Sequence, residues 1–427
     1  MKAAVIGLGV EGKKASKSLI KHHWDVYATD PNTDIDLEEL KLYIADATIS
    51  TEKDKISMNS NKISIDLGYM DKDIVKSCDA IVLSPSLWNL KIANELRKTE
   101  KLICDKLKKH REIFTIGITG TNGKTTSSIM LKEILEKAGK KVLIGGNAGG
   151  GFQGYCEIIL EAEKENSDFI IVEICDMTLD FCKYCFDLDL LGLTNIGNDH
   201  INFHGSIDNY KLSLLDFFEN KNIIIYENEK DIEEFKKVAK KFLCYSAFSE
   251  EIKMVGEFNR LNAGLASSMA KYLKIDEKII NDSLKSFESL DGRLKKYELN
   301  DSDVYIGKTD NSDAIKHILD EKEFFAIFVG TPRFSEKHRL DILNEVSKAN
   351  PKVIVLFPGL EDTIDLAIER LKDLNYKGKI EKANSIKEII NLIVEYSHEE
   401  AILIGGNGQD TIIDIQNRLE LLTKSCD

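Results

Sequence analysis

An apolar run at residues 113–119, IFTIGIT, breaks into Gly120-Thr121-Asn122-Gly123-Lys124-Thr125-Thr126 and then resumes as the helix-like SSIMLKEILEKAGK. Few backbones accommodate that order. A buried strand must turn at once into a helix through residues too small to fill a core. Glycines there leave backbone N–H groups free to wrap phosphate oxygens, the lysine adds a point charge, and a hydroxyl can ligate Mg²⁺. The spacing misses the generic GxxxxGK[ST] pattern by one position, because Ile118 stands where the first glycine is wanted. A turn that merely needed flexibility would not require Lys-Thr-Thr at the helix start. Residues 120–126 are therefore expected to bind ATP.

The rest of the chain alternates in the same way. Strand-like runs at 3–7, 25–30 and 80–85 are separated by helical stretches, the pattern of a parallel sheet with crossover helices. Beyond a charged connector, DKLKKHRE at 105–112, the runs IFTIGIT, KVLIGG, DFIIVEI, LLGLTNI and NIIIYE form a second series. Helices are expected after Lys124 and near 208–218, 230–241 and 257–272. After SLDGRLKK at 289–296 a third series begins with DVYIGK and continues through FFAIFVG, KVIVLFPG and AILIGG. The expected architecture is α/β with three domains. These are a Rossmann-like unit at 1–110, a central phosphate-loop ATPase unit with a parallel sheet at 111–292, and a Rossmann-like unit at 293–427. With 427 residues, 43% of them apolar, the chain has material for several cores.

Composition excludes some functions. The formal charge of −14 disfavours a nucleic-acid or anionic-membrane surface, which needs clustered Lys and Arg. No apolar run approaches about 18 residues and no signal-peptide pattern opens the chain, so a soluble, cytoplasmic protein is expected, without nucleic-acid or membrane partners. A monomer is expected. The eight cysteines are scattered. Cys182 and Cys185, with Cys175 nearby, lack the second ligand pair that a metal site needs, so reduced, buried thiols are expected.

In the first unit, Gly7-Leu8-Gly9-Val10-Glu11-Gly12 follows a strand and opens a helix, and Asp30 ends the next strand. A GxGxxG in that context seats a diphosphate over a helix amino terminus. The same glycines would also serve a tight strand-to-helix turn. Asp30 could then bind a ribose.

GITGTNGKTT resembles the phosphate loop of the Mur ligase family, the ATP-dependent amide ligases of cell-wall peptides and folylpolyglutamate. Further matches follow in the family's order. VEICD at 172–176 looks like the strand whose glutamate holds Mg²⁺, here Glu173. TNIGNDHINFHGSIDNY at 194–210 is similar to the family's DHLDxHG segment, giving Asp199, His200 and His204. GEFNRLNAGLA at 256–266 resembles its GxHNxxNxxAA helix, which implies Asn259 and Asn262 near adenine. DGRLKK resembles the GR that opens the last domain, which implies Arg293 on the ATP phosphates. GLGVEG, followed later by LSPSL, looks like a UDP pocket, with Gly7, Gly9, Val10, Glu11 and Gly12 as its residues. The resemblance implies Lys124, Glu173 and His200 as catalytic residues, and Thr125, Glu173 and His200 as metal ligands.

Two stretches depart from the family. Its carbamoylated lysine falls four residues after the tyrosine matching Tyr210, where this chain has Leu214. Lys211, one turn earlier, is a candidate replacement, and water or another carboxylate is the favoured alternative. IGKTDNSDA at 306–314 stands where the family has DYAHxPxA, placing Gly307 at the aspartate and Asp310 at the histidine.

The implied chemistry is activation of a carboxylate by ATP to an acyl phosphate, with Mg²⁺, followed by attack of an amine to form an amide. The implied substrates are an amino acid and a UDP-linked peptide precursor. Only five prolines and many lysines and isoleucines lead to the expectation of an archaeal, pseudomurein-type peptide ligase. Alternatives are a glutamate-adding ligase, the Mur-like synthetase of the methanogens' nickel tetrapyrrole coenzyme, and an ATP-binding regulator without turnover. Arg333, Lys337 and Arg339 are candidate partners for a carboxylate.

Overall fold

The computed structural model describes residues 1–147, 151–197, 201–300 and 302–424. Three six-stranded sheets succeed one another along the chain. The first comprises β1 (Lys2–Ile6), β2 (Asp25–Asp30), β3 (Thr48–Glu52), β4 (Lys55–Asn59), β5 (Ile63–Leu67) and β6 (Ala80–Leu83), in the order β3-β4-β5-β2-β1-β6. The second comprises β7 (Phe114–Thr119), β8 (Val142–Gly146), β9 (Phe169–Glu173), β10 (Leu188–Leu193), β11 (Asn222–Tyr226) and β12 (Lys241–Tyr245), in the order β12-β11-β10-β7-β9-β8. Every pairing in it is parallel. The third comprises β13 (Lys295–Leu299), β14 (Ser302–Ile306), β15 (Ala326–Gly330), β16 (Val353–Phe357), β17 (Lys379–Lys382) and β18 (Ile402–Gly406), in the order β13-β14-β18-β15-β16-β17.

The runs read from sequence are the strands covered by helices on both faces, which must be apolar along their whole length. β16, Val-Ile-Val-Leu-Phe, is buried at every position. The antiparallel hairpin β3–β4 lies at an edge, and β3 is exposed throughout, so its sequence carries no apolar run. β12 occupies the other kind of edge, in a stretch where a helix over 230–241 was expected; the helix is shorter, Ile232–Val238.

By compactness the chain forms two bodies. One holds the first and second sheets with residues 262–283, and the other holds the third sheet with residues 247–261. In the first body the helix Val10–Lys21 packs on the helix Tyr155–Lys164, joining the two sheets' layers into one contiguous core. Among the described residues six cysteines are buried and Cys244 is exposed, all as free thiols. Burial pushes the Cys182 thiol up to about 12. No described helix is long and apolar enough to cross a membrane.

Candidate active site

β7 is the central strand of its sheet, with β10 on one side and β9 on the other. The connection from β7 runs toward β8 and the one from β10 toward β11, in opposite directions. A crevice therefore opens beyond the carboxyl ends of β7 and β10, the place where open α/β sheets bind ligands. The phosphate loop occupies it. Gly123 is the N-cap of the helix Lys124–Lys137 at φ +87°, and a Cβ there would meet Asn262 Oδ1 at 2.1 Å, so only glycine fits. No side chain caps that helix. Lys124 Nζ lies over the loop, donating to Gly120 O at 2.7 Å and Thr121 O at 2.8 Å.

The loop is held from β10. Asn195 Oδ1 accepts from the Asn122 N–H at 3.0 Å, Asn195 Nδ2 donates to Asn122 O at 3.0 Å, and Asn195 O accepts from the Thr121 N–H at 3.0 Å. Asn195 was not singled out in the sequence, although it follows directly on the apolar run of β10. Asn262 also touches the start of the loop helix, with Ser127 Oγ 3.4 Å from its Oδ1. Thr121 and Thr126 are buried, and Asn122 and Thr125 half-buried.

Parallel register places Glu173 beside Ile118, two residues before Gly120. Its side chain is 1% exposed. Oε1 accepts from Asn147 Nδ2 at 2.9 Å, while Oε2 is buried without a hydrogen-bond partner among the described residues. An ionised carboxylate oxygen left alone in a low-dielectric site is costly, and a cation is the group that best satisfies it. Magnesium, which favours oxygen ligands, fits that donor.

Three residues on, Asp176 Oδ2 lies 2.9 Å from His204 Nε2, both side chains nearly fully buried. The His204 ring packs on Tyr210, with centroids 4.8 Å apart. This pair walls a cavity of about 400 Å³ that also receives Trp88, Met177, Asp180 and Phe203. Asp199 and His200 lie outside the described residues. Leu214 is fully buried in the core. Lys211 points elsewhere: its ammonium lies 3.0 Å from Glu234 Oε1 and 3.3 Å from Asp231 Oδ1. The hydrogen bond that its ammonium donates to Glu234, with Asp231 beside it, raises its pKa and keeps it charged. Carbamoylation requires the neutral amine, so the geometry speaks against Lys211 as the substitute. Lys211→Ala is expected to keep phosphate release within about twofold of the parent, since an exposed ion pair contributes little.

In the first sheet the GxGxxG turn divides its glycines between two tasks. Gly7 closes β1, and Gly12 brings the Val10–Lys21 helix against it, because a Cβ at Gly12 would lie 1.7 Å from Gly7 O. Gly9 has nothing within 4 Å of an added Cβ and caps a helix that has no side-chain cap. Val10 is 47% exposed and Glu11 half-buried, so the open amino terminus is formed by Gly9, Val10 and Glu11. Asp30 departs from the ribose expectation. Its Oδ2 accepts from the Leu8 N–H at 2.6 Å and its Oδ1 from Asn32 at 2.9 Å, so it holds the turn itself.

The second body carries the remaining candidates. Asn259 donates Nδ2 to Val255 O at 2.7 Å. Arg293 is half-buried. Asp310 binds Lys308 Nζ at 3.0 Å and Arg339 Nη1 at 2.8 Å. Burial alone would raise its carboxyl, but Lys308 and Arg339, with Arg293 nearby, hold it well below the usual range. Gly307 could not carry the family's aspartate in this backbone, since a Cβ would meet Leu294 at 2.5 Å. Of the three basic candidates, Arg339 is committed to Asp310, Arg333 pairs with Glu336 at 3.3 Å, and Lys337 lies on a surface groove with Arg370.

A glycine-rich loop in the crevice of a parallel sheet, with a buried carboxylate on the neighbouring strand, defines a phosphate-loop, nucleotide-binding class of protein. Residues 118–284 match the Mur ligase middle domain. The chain carries a Mur ligase middle domain and is an ATP-dependent ligase. It is 24% identical over 429 residues to a UDP-N-acetylmuramoylalanine–D-glutamate ligase of Fervidobacterium nodosum, covering 96% of this chain and 94% of that protein. Its fold is similar from end to end to the UDP-N-acetylmuramate-alanine ligase MurC of Thermotoga maritima, with TM-score 0.62, 17% identity and 100% of both chains covered. It is also similar to a pseudomurein peptide ligase type C from Methanothermus fervidus, with TM-score 0.58, 19% identity, and 98% and 99% of the two chains covered.

Proposed function

We propose that this chain joins an amino acid to a UDP-linked cell-wall peptide precursor, activating the precursor's carboxylate with ATP, and that the precursor is of the pseudomurein type. The observation that carries the catalytic reading is Glu173 Oε2, buried beside the phosphate loop and without a hydrogen-bond partner among the described residues.

In this reading the resemblance supplies the roles and the geometry of the loop supports them. The carboxylate oxygen of the precursor attacks the γ-phosphorus of ATP, the bond to the β–γ bridging oxygen breaks, and ADP leaves with the displaced electrons. The resulting acyl phosphate is attacked by the amine, which loses a proton as phosphate departs and the amide forms. Two anions must meet in the first step, so the ammonium of Lys124 and the loop N–H groups lower the repulsion where charge builds up. Glu173 and Thr125 would hold Mg²⁺, which when bound supplies further neutralisation of the phosphates; the resemblance assigns His200 to a second ion. Asn195 keeps the loop in shape. Gly9 to Glu11 would receive the UDP diphosphate at the open helix terminus. Asn262, beside the loop helix, adds a further ATP contact in this reading.

A second reading, a D-glutamate-adding ligase, is favoured by the relative that matches nearly the whole chain. Phosphate release measured with a panel of amino acids against UDP-linked muramyl and pseudomurein-type acceptors separates the two. Release is expected only when ATP, acceptor and one amino acid are all present. ATP binding without release on any acceptor would favour a regulator and defeat the proposal.

A further inference from the structure

We propose that His22, Glu157 and Glu161 form a zinc-type divalent-cation site that fastens the Val10–Lys21 helix of the first sheet to the Tyr155–Lys164 helix of the second. The site is separate from the nucleotide chemistry, and nothing in the ligase reaction uses it.

Glu157 and Glu161 are one turn apart on the same helix, so their carboxylates share a face. Two like charges so placed repel one another, and a cation between them removes the cost. The opposing group is His22, at the carboxyl-terminal cap of its own helix, where unpaired carbonyls make the surroundings negative. Its side chain is 2% exposed. Nε2 faces Glu161 Oε1 at 3.1 Å and Glu157 Oε2 at 3.6 Å, yet among the described residues it meets no partner in hydrogen-bonding geometry, and Glu157 Oε2 has none either. Three ligand atoms, one from each residue, lie within 4.8 Å of one another. Adjacent ligands of a tetrahedral zinc, at about 2.0–2.1 Å from the metal, are about 3.3 Å apart. The two observed distances bracket that spacing, and a fourth position is left for water.

Lys21 is the competing cation. Its Nζ lies 2.6 Å from Glu157 Oε1 and 3.2 Å from Glu161 Oε1, but its side chain is 63% exposed and can swing away. Lys21 uses the other oxygen of Glu157, leaving Oε2 for the ion. Displacing the ammonium costs affinity, which yields a signature that a plain ion-pair cluster lacks.

The test uses the full chain, stripped with chelator and free of nucleotide, titrated with Zn²⁺ by calorimetry and with Co²⁺ by visible absorption. One ion per chain is expected, with the visible bands of four-coordinate cobalt. His22→Ala and Glu161→Gln should each weaken binding at least about tenfold. Lys21→Met should tighten it severalfold. Zn²⁺ should raise the melting temperature of the parent and leave that of His22→Ala unchanged. If His22→Ala fails to fold, Glu161→Gln, partly exposed, carries the same comparison. Equal binding by parent, His22→Ala and Glu161→Gln would overturn the proposal, as would the absence of stoichiometric binding in both the parent and Lys21→Met.

Discussion

Replacing Lys124 by alanine is expected to lower ATP turnover by a factor on the order of 10² to 10³, the loss found when one preorganised charge-stabilising donor is removed. The fold should survive. Among the described residues Nζ bonds Gly120 O and Thr121 O, both of its own loop, so no contact between distant elements is lost with it. Nucleotide affinity should fall less than turnover, because the loop's backbone N–H groups bind phosphate in the ground state, whereas the ammonium matters most where negative charge accumulates on transfer. Phosphate release at saturating substrates, read beside a thermal melt and a nucleotide-binding titration, checks all three statements. A correctly folded Lys124→Ala protein with more than a tenth of the parent rate would remove Lys124 from the mechanism.

Why was this lysine legible in the sequence while its neighbours were not? The phosphate loop is local: strand, glycines, lysine and helix follow one another within about fifteen residues, and each constrains the next. Asn195, Asn147 and Asp176 become meaningful only through the order β10-β7-β9-β8, which brings residues 120, 147, 173 and 195 to one rim. A parallel sheet whose neighbours are not consecutive hides such partners from any reading by spacing. Glu173 was found through the family's motif, but the orphaned oxygen that supports its role is a property of packing.

Helical spacing alone made Lys211 a candidate. Three residues correspond to a rotation of about 300°, so Lys211 stands about 60° from Leu214 around the helix axis. Leu214 enters the core, and that rotation suffices to carry the lysine to the carboxylates of Asp231 and Glu234. Asp30 is a different case. Its position at the end of β2 is the one expected of a ribose ligand, yet a buried carboxylate must find donors, and the Leu8 N–H of the glycine turn is nearer than any ligand. In the first sheet β5 escaped notice because Ile-Ser-Ile-Asp-Leu alternates, while the reading sought continuous apolar runs.

Gly12 and Gly9 can be told apart by experiment, because the turn asks different things of them. A methyl group at position 12 would sit 1.7 Å from Gly7 O and 2.8 Å from its carbonyl carbon, and backbone cannot yield as a side chain would. Gly12→Ala must push the Val10–Lys21 helix off β1, opening the interface that Leu19 and Ala15 fill. Overpacking of this kind costs about 3 kcal/mol, which in a body of this size corresponds to a melting temperature lower by roughly 6–12 °C. Gly9→Ala has open space and an ordinary φ of −61°, so its melting temperature should match the parent's. If the helix terminus receives a diphosphate, the methyl of Gly9→Ala stands in the ligand's approach and weakens the UDP-linked acceptor without affecting ATP binding. A Gly12→Ala protein as stable as the parent would contradict the packing of the turn, and unaltered acceptor affinity in Gly9→Ala would move the diphosphate elsewhere.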